Sequence, residues 1–195
     1  MIGRLSVLLL LFLFLLTGCK SGFLCEWQSE TLQKSGSGNE KYIFFIQSNN
    51  SINSRIAQDQ LVRISSHVSI QSYLYLKEER LNKSNENKVQ QKLIQDGFKY
   101  AVIVHLIPFK TDSVVSDKRS FFDDYMLFID PYFYNPVYEW PHPDFNIETS
   151  VYLLSDYRLI WNSISKNYPT TAAETALEEN SELFVKRLKK AGIMN

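Results

Sequence analysis

The 195-residue chain is poor in the residues that usually betray a reaction. It has two cysteines and three histidines. Two thiols are too few for a disulfide framework or a four-thiolate zinc site. His67, His105 and His142 are scattered and fit no H-E-x-x-H pattern, so no metal and no cofactor is expected. No G-x-S-x-G elbow exposes a serine nucleophile. Asp123 and Asp124 are adjacent, and on an extended segment adjacent side chains face opposite ways, so they make no acidic dyad. Excess charge is missing too, since 21 Lys and Arg balance 21 Asp and Glu. Non-specific nucleic-acid binding needs a strong positive excess, so no nucleic-acid partner is expected. Seven Gly and six Pro exclude collagen-like and low-complexity architectures. The long apolar run Val7 to Leu16 is ten residues, about 15 Å as a helix and half of a bilayer core, so it does not span.

What the N-terminus does contain is ordered. Arg4 gives a short basic region, the apolar run follows, and Leu16-Thr17-Gly18-Cys19 comes directly after it. This arrangement resembles a bacterial lipobox. The resemblance implies that residues 1–18 are a signal peptide and that Cys19 becomes the first mature residue, carrying palmitate-type acyl chains. One chain binds membranes reversibly, whereas two or three anchor stably. Lys20, and not Asp, follows the cysteine. By the sorting rule of Gram-negative lipoproteins, that implies the periplasmic face of the outer membrane. Residues 19–40, ending in Ser35-Gly36-Ser37-Gly38, read as a lipidated tether with a reach of about 25 Å. Cys25 reads as an inert tether residue beside Phe23, Leu24 and Trp27, with intermolecular pairing or modification as the alternatives.

Residues 41–195 read as one periplasmic α/β domain. Tyr42–Ile46 is apolar on both faces, as in a strand buried between layers. The turn from Ser48 to Ser54 has no Gly to let a phosphate approach, and it reads as an N-cap supplied by Ser51 or Asn53. A helix to about Ser66 places Ile52, Ile56, Leu61 and Ile64 inward, and His67–Gln71 forms a second strand. Residues 85–96 form a short helix with Val89, Leu93 and Ile94 inward and Gly97 as its C-terminal cap. Tyr100–Ile107 is the third strand. Strand, helix, strand, helix, strand predicts parallel crossovers. Phe145, Ile147, Thr149, Val151 and Leu153 alternate with more polar residues, as in a half-exposed strand. A turn at Asp156-Tyr157 leads to its hairpin partner, which begins at Leu159-Ile160-Trp161. A last helix, capped by Thr170 or Thr171 and ended by Gly192, buries Ala173, Ala176, Leu177, Leu183, Phe184 and Leu188. The predicted fold is a mixed sheet with an N-terminal parallel β-α-β-α-β part, a C-terminal β-hairpin and a final helix.

The ordered set Arg55 and Asp59, Ser72-Tyr73, Gly97-Phe98-Lys99-Tyr100-Ala101-Val102, Glu148 to Leu153, Tyr157 to Trp161 and Leu188 to Ile193 resembles small uncharacterised bacterial envelope lipoproteins. The resemblance covers roughly residues 41–194. It implies an envelope location and an α/β fold and brings no catalytic residue. The chain departs from that family between the third strand and the hairpin.

That departure is the most unusual stretch. Between Phe121 and Phe145 lie ten of the 27 aromatics, four of the six prolines and five acidic residues, with no Lys or Arg. Aromatics beside carboxylates suit stacking on sugar rings, cationic or peptide ligands, or a protein partner. The alternative is a hydrophobic hairpin folded over the sheet. Tyr132, Tyr134, Tyr138 and Trp140, with Asp130, are the candidate partner surface. The expected function is a non-catalytic binding or structural component, joined to the membrane through Cys19 and facing an envelope protein or a glycan. An auxiliary subunit of an envelope transport assembly is the alternative, and a periplasmic hydrolase is a distant third.

Overall fold

The computed structural model describes residues 23–29, 40–47, 51–65, 69–76, 85–108, 120–122, 144–165, 168–169 and 173–194. The strands are β1 (Phe23–Gln28), β2 (Lys41–Gln47), β3 (Ser69–Gln71), β4 (Phe98–Pro108), β5 (Asp144–Leu153), β6 (Arg158–Ser165) and β7 (Tyr168–Pro169). The helices are α1 (Ser51–Ser65), α2 (Ser72–Tyr75), α3 (Glu86–Gln95) and α4 (Ala173–Ala191). All seven strands join one mixed sheet in the order β1-β6-β5-β4-β2-β3, with β7 paired to the start of β5.

The expected architecture is present. β2 pairs in parallel with both β3 and β4, which gives the β-α-β-α-β half. β4 to β5 and β5 to β6 are antiparallel, so the second half is a meander closed by α4. The turn between β5 and β6 needs a left-handed residue, and Tyr157 takes it at φ 56°. Gly97 and Gly192 end α3 and α4 at φ 81° and 71°, a region that glycine enters without a Cβ clash.

The two sheet faces bury different things. One carries Tyr42, Phe44, Val102, Val104, Ile147 and Trp161 against Ala57 and Leu61 of α1 and Ala176, Leu177, Phe184 and Leu188 of α4. The other carries Ile43, Phe45, Ala101, Ile103 and Tyr152 against Val89 and Leu93 of α3, with Phe121 and Phe122. Helices on both faces explain why β2 and β4 read as continuous apolar runs.

Five expectations change. Phe23–Gln28, read above as tether, is an edge strand lying antiparallel along β6. β5 is buried on both faces rather than half exposed, because Glu148, Thr149 and Ser150 are enclosed along with their apolar neighbours. Ile94 is exposed, since α3 turns only Val89 and Leu93 to the sheet and a residue one step beyond Leu93 is rotated about 100° away. Ile56 is exposed for the same reason, one step before the buried Ala57, and Leu183 is only half-buried. The predicted caps Thr170 and Thr171 fall outside the described residues, as does His67.

Candidate functional site

Within the second half of the sheet, polar side chains occupy positions that a simple core would fill with carbon. Glu148, Thr149 and Ser150 on β5, His105 on β4, and Asn162, Ser163 and Ser165 on β6 are all buried. Their meeting follows from register: His105 lies opposite Glu148, and Ser150 lies opposite Asn162. The Asn162 amide donates to Glu148 Oε1 at 2.9 Å and to Ser150 Oγ at 3.0 Å. On the other face, Asn180 of α4 donates to Thr149 Oγ1 at 3.1 Å, and the Ile147 amide donates to Ser165 Oγ at 2.7 Å. A buried carboxylate is tolerated only when hydrogen bonds replace the water it has lost. Here those bonds also tie β5 to β6, and α4 to β5, at one register. Chemically, the arrangement holds an acid and an imidazole on neighbouring strands in a desolvated layer.

Two exposed networks flank the β3 edge. Asp59 of α1 accepts from Tyr73 Oη at 2.7 Å and from Gln71 Nε2 at 2.8 Å, while the Arg55 guanidinium sits 5.3 Å from the Tyr73 ring centroid. The hydrogen bond to Asp59 raises the Tyr73 pKa. Asp96 accepts from Lys92 Nζ at 2.8 Å and from Tyr75 Oη at 2.6 Å. Those two bonds, Lys92's first, hold its carboxyl below the usual range. Burial first, and then the hydrogen bond to Asp96, raises the Tyr75 pKa, so both tyrosines are held protonated as hydrogen-bond donors.

The sequence-derived surface of Tyr132, Tyr134, Tyr138, Trp140 and Asp130 lies outside the described residues, as do Cys19, Asp123, Asp124 and His142. The borders of that aromatic stretch are described and are core. Phe121 packs on Phe45 and Tyr152 with ring centroids 5.4 and 5.9 Å apart, and Phe145 stacks on Tyr168 at 6.0 Å. His105 is a fully buried strand residue, as its apolar neighbours predict. The polar layer around it is absent from the sequence reading. Its signal is the recurrence of Glu, Thr, Ser and Asn on two strands that form a hairpin. Among the described residues, no group of three or more His, Cys, Asp or Glu could hold a metal ion. No helix there is long and apolar enough to cross a membrane.

No protein-family model matches the chain, and no curated protein sequence matches it. Among solved structures it is similar to the PelC dodecamer from Paraburkholderia phytofirmans, with a TM-score of 0.40 and 6% identity over 82% of this chain and 94% of that one. A variant of the same dodecamer gives a TM-score of 0.39 at the same identity and coverage.

Proposed function

We propose that the protein is a lipoprotein of the bacterial envelope, anchored by acyl chains on Cys19, whose α/β domain works by binding. The observation that carries this reading is the order of Arg4, the ten-residue apolar run and Leu16-Thr17-Gly18-Cys19. The run is too short to span and is followed at once by small residues and a cysteine. Lys20 directs the anchor to the periplasmic side of the outer membrane under the Gram-negative rule. The partner is an envelope protein or glycan, taken by the aromatic and acidic stretch containing Asp130, Tyr132, Tyr134, Tyr138 and Trp140. Aromatic side chains supply large contact area at low entropy cost, which is why they dominate binding surfaces.

Labelling cells with a fatty-acid analogue tests the anchor. The protein takes up label and fractionates with membranes, and Cys19→Ala loses both properties; a labelled, membrane-bound Cys19→Ala form contradicts the reading. Crosslinking in intact cells tests the binding surface. Replacing Tyr132, Tyr134 and Trp140 together with Ala reduces partner capture several-fold while the circular dichroism and unfolding midpoint stay unchanged. Undiminished capture by that variant removes the surface from the account.

A further inference from the structure

Resting on the reading that Cys19 carries the lipid, we infer that one end of the sheet faces the bilayer: the end where β1 begins, β6 and β4 finish and β5 starts. Phe23 opens β1 only four residues after Cys19. A trans chain spans at most about 3.6 Å per residue, so Phe23 lies within roughly 14 Å of the anchored residue. The register carries that end across the sheet. Phe23 is opposite Ser165, Ile164 is opposite Glu148, Glu148 is opposite His105, and His105 is opposite Gln47. β7 pairs with Asp144 and Phe145 at this same end, and the first turns of α4 stand beside it, with Glu179 next to the Tyr168 hydroxyl.

The opposite end is a strand length away, about 33 Å along the ten residues of β5. It holds the turn at Ser155 and Asp156, Gly97, and the end of α4, just beyond which the Ile193 carbonyl accepts from the Tyr42 hydroxyl. The far end displays the Lys92–Asp96 and Arg158–Asp156 ion pairs and the exposed Lys189 and Lys190. The near end carries half-buried Leu106 and exposed Pro169 together with the exposed Glu178 and Glu179 of α4, and its Phe145–Tyr168 stack is buried. Both ends therefore carry charge, and it is the short connection from Cys19 that makes a lipid surface the partner of the near end.

The full lipidated chain, carrying Cys25→Ser, is reconstituted in phosphatidylcholine vesicles containing a lipid with a nitroxide headgroup. A fluorophore is placed at Thr175→Cys near the membrane end, or at Ser155→Cys or Lys190→Cys at the far end. All three positions are exposed. The Thr175 label is quenched several-fold more than either far-end label. A Gly/Ser insertion of about 15 residues between Gly22 and Phe23 abolishes that difference while the vesicles still float with protein bound. Equal quenching at Thr175 and Lys190 in the native-length chain overturns the inference, as does a difference that survives the insertion. Protein that fails to float refutes the anchor itself, and so marks failure of the underlying reading separately.

Discussion

Glu148 is the residue on which the second half of the sheet turns. Only 3% exposed, it depends on the Asn162 amide, which it shares with Ser150. Glu148→Ala leaves that amide short of an acceptor, and an unpaired buried polar group costs about 1–3 kcal/mol. Urea unfolding of Glu148→Ala shows a midpoint lowered accordingly with an unchanged slope; an unmoved midpoint shows that the bonds carry no stability. Two tyrosines make a second prediction. Burial, followed by the influence of Tyr100 and Glu40, raises the Tyr42 pKa well above the ordinary tyrosine range. Burial, followed by Glu179, pushes that of Tyr168 up to about 12. The folded state therefore holds both protons more tightly than the unfolded chain. Their stabilisation is complete below about pH 10 and is lost as pH rises through the folded values. Stability is flat up to that point and falls above it. Tyr42→Phe costs about 1 kcal/mol at neutral pH, through loss of the bond to the Ile193 carbonyl. It also flattens the alkaline limb, and an unaltered limb contradicts the assignment.

At the scale of elements, helix α3 separates periodicity from hydrophobicity. Val89 and Leu93 are one turn apart and face the sheet, while Ile94 is 44% exposed. Leu93→Ala lowers stability by about 2–5 kcal/mol, whereas Ile94→Ala stays within about 0.5 kcal/mol. Thermal or chemical melts that rank the two the other way contradict the packing. The same contrast shows what was legible in the sequence. β2, β4, α3 and α4 were readable because apolar spacing and glycine stops agree there. The burial of β5 is not legible, because Glu148 and Ser150 look solvent-facing when only polarity is counted; it depends on Asn162, a partner 12 to 14 residues on. β1 looks like tether in the sequence because its six residues carry too short a pattern, and its strand identity comes from pairing with β6, more than a hundred residues away. The proposed partner surface was legible only as composition, since aromatics and prolines in one stretch specify no geometry.

At the scale of the whole molecule, the anchor and the fold constrain one another. If residues 19–40 were all tether, the domain would roam about 25 Å from the membrane. With β1 in the sheet, only three residues, Lys20 to Gly22, separate Cys19 from the β-edge, so a lipid on Cys19 would make the membrane end a defined part of the domain. Everything at this scale rests on Cys19 being the mature, acylated N-terminus. The most direct measurement is the intact mass of the protein purified from membranes, with its N-terminal peptide sequenced by fragmentation. The account predicts a chain that starts at Cys19 and carries the added mass of a diacylglyceryl group on that residue. A mature chain that keeps residues before Cys19, or that starts there with an unmodified thiol, contradicts it.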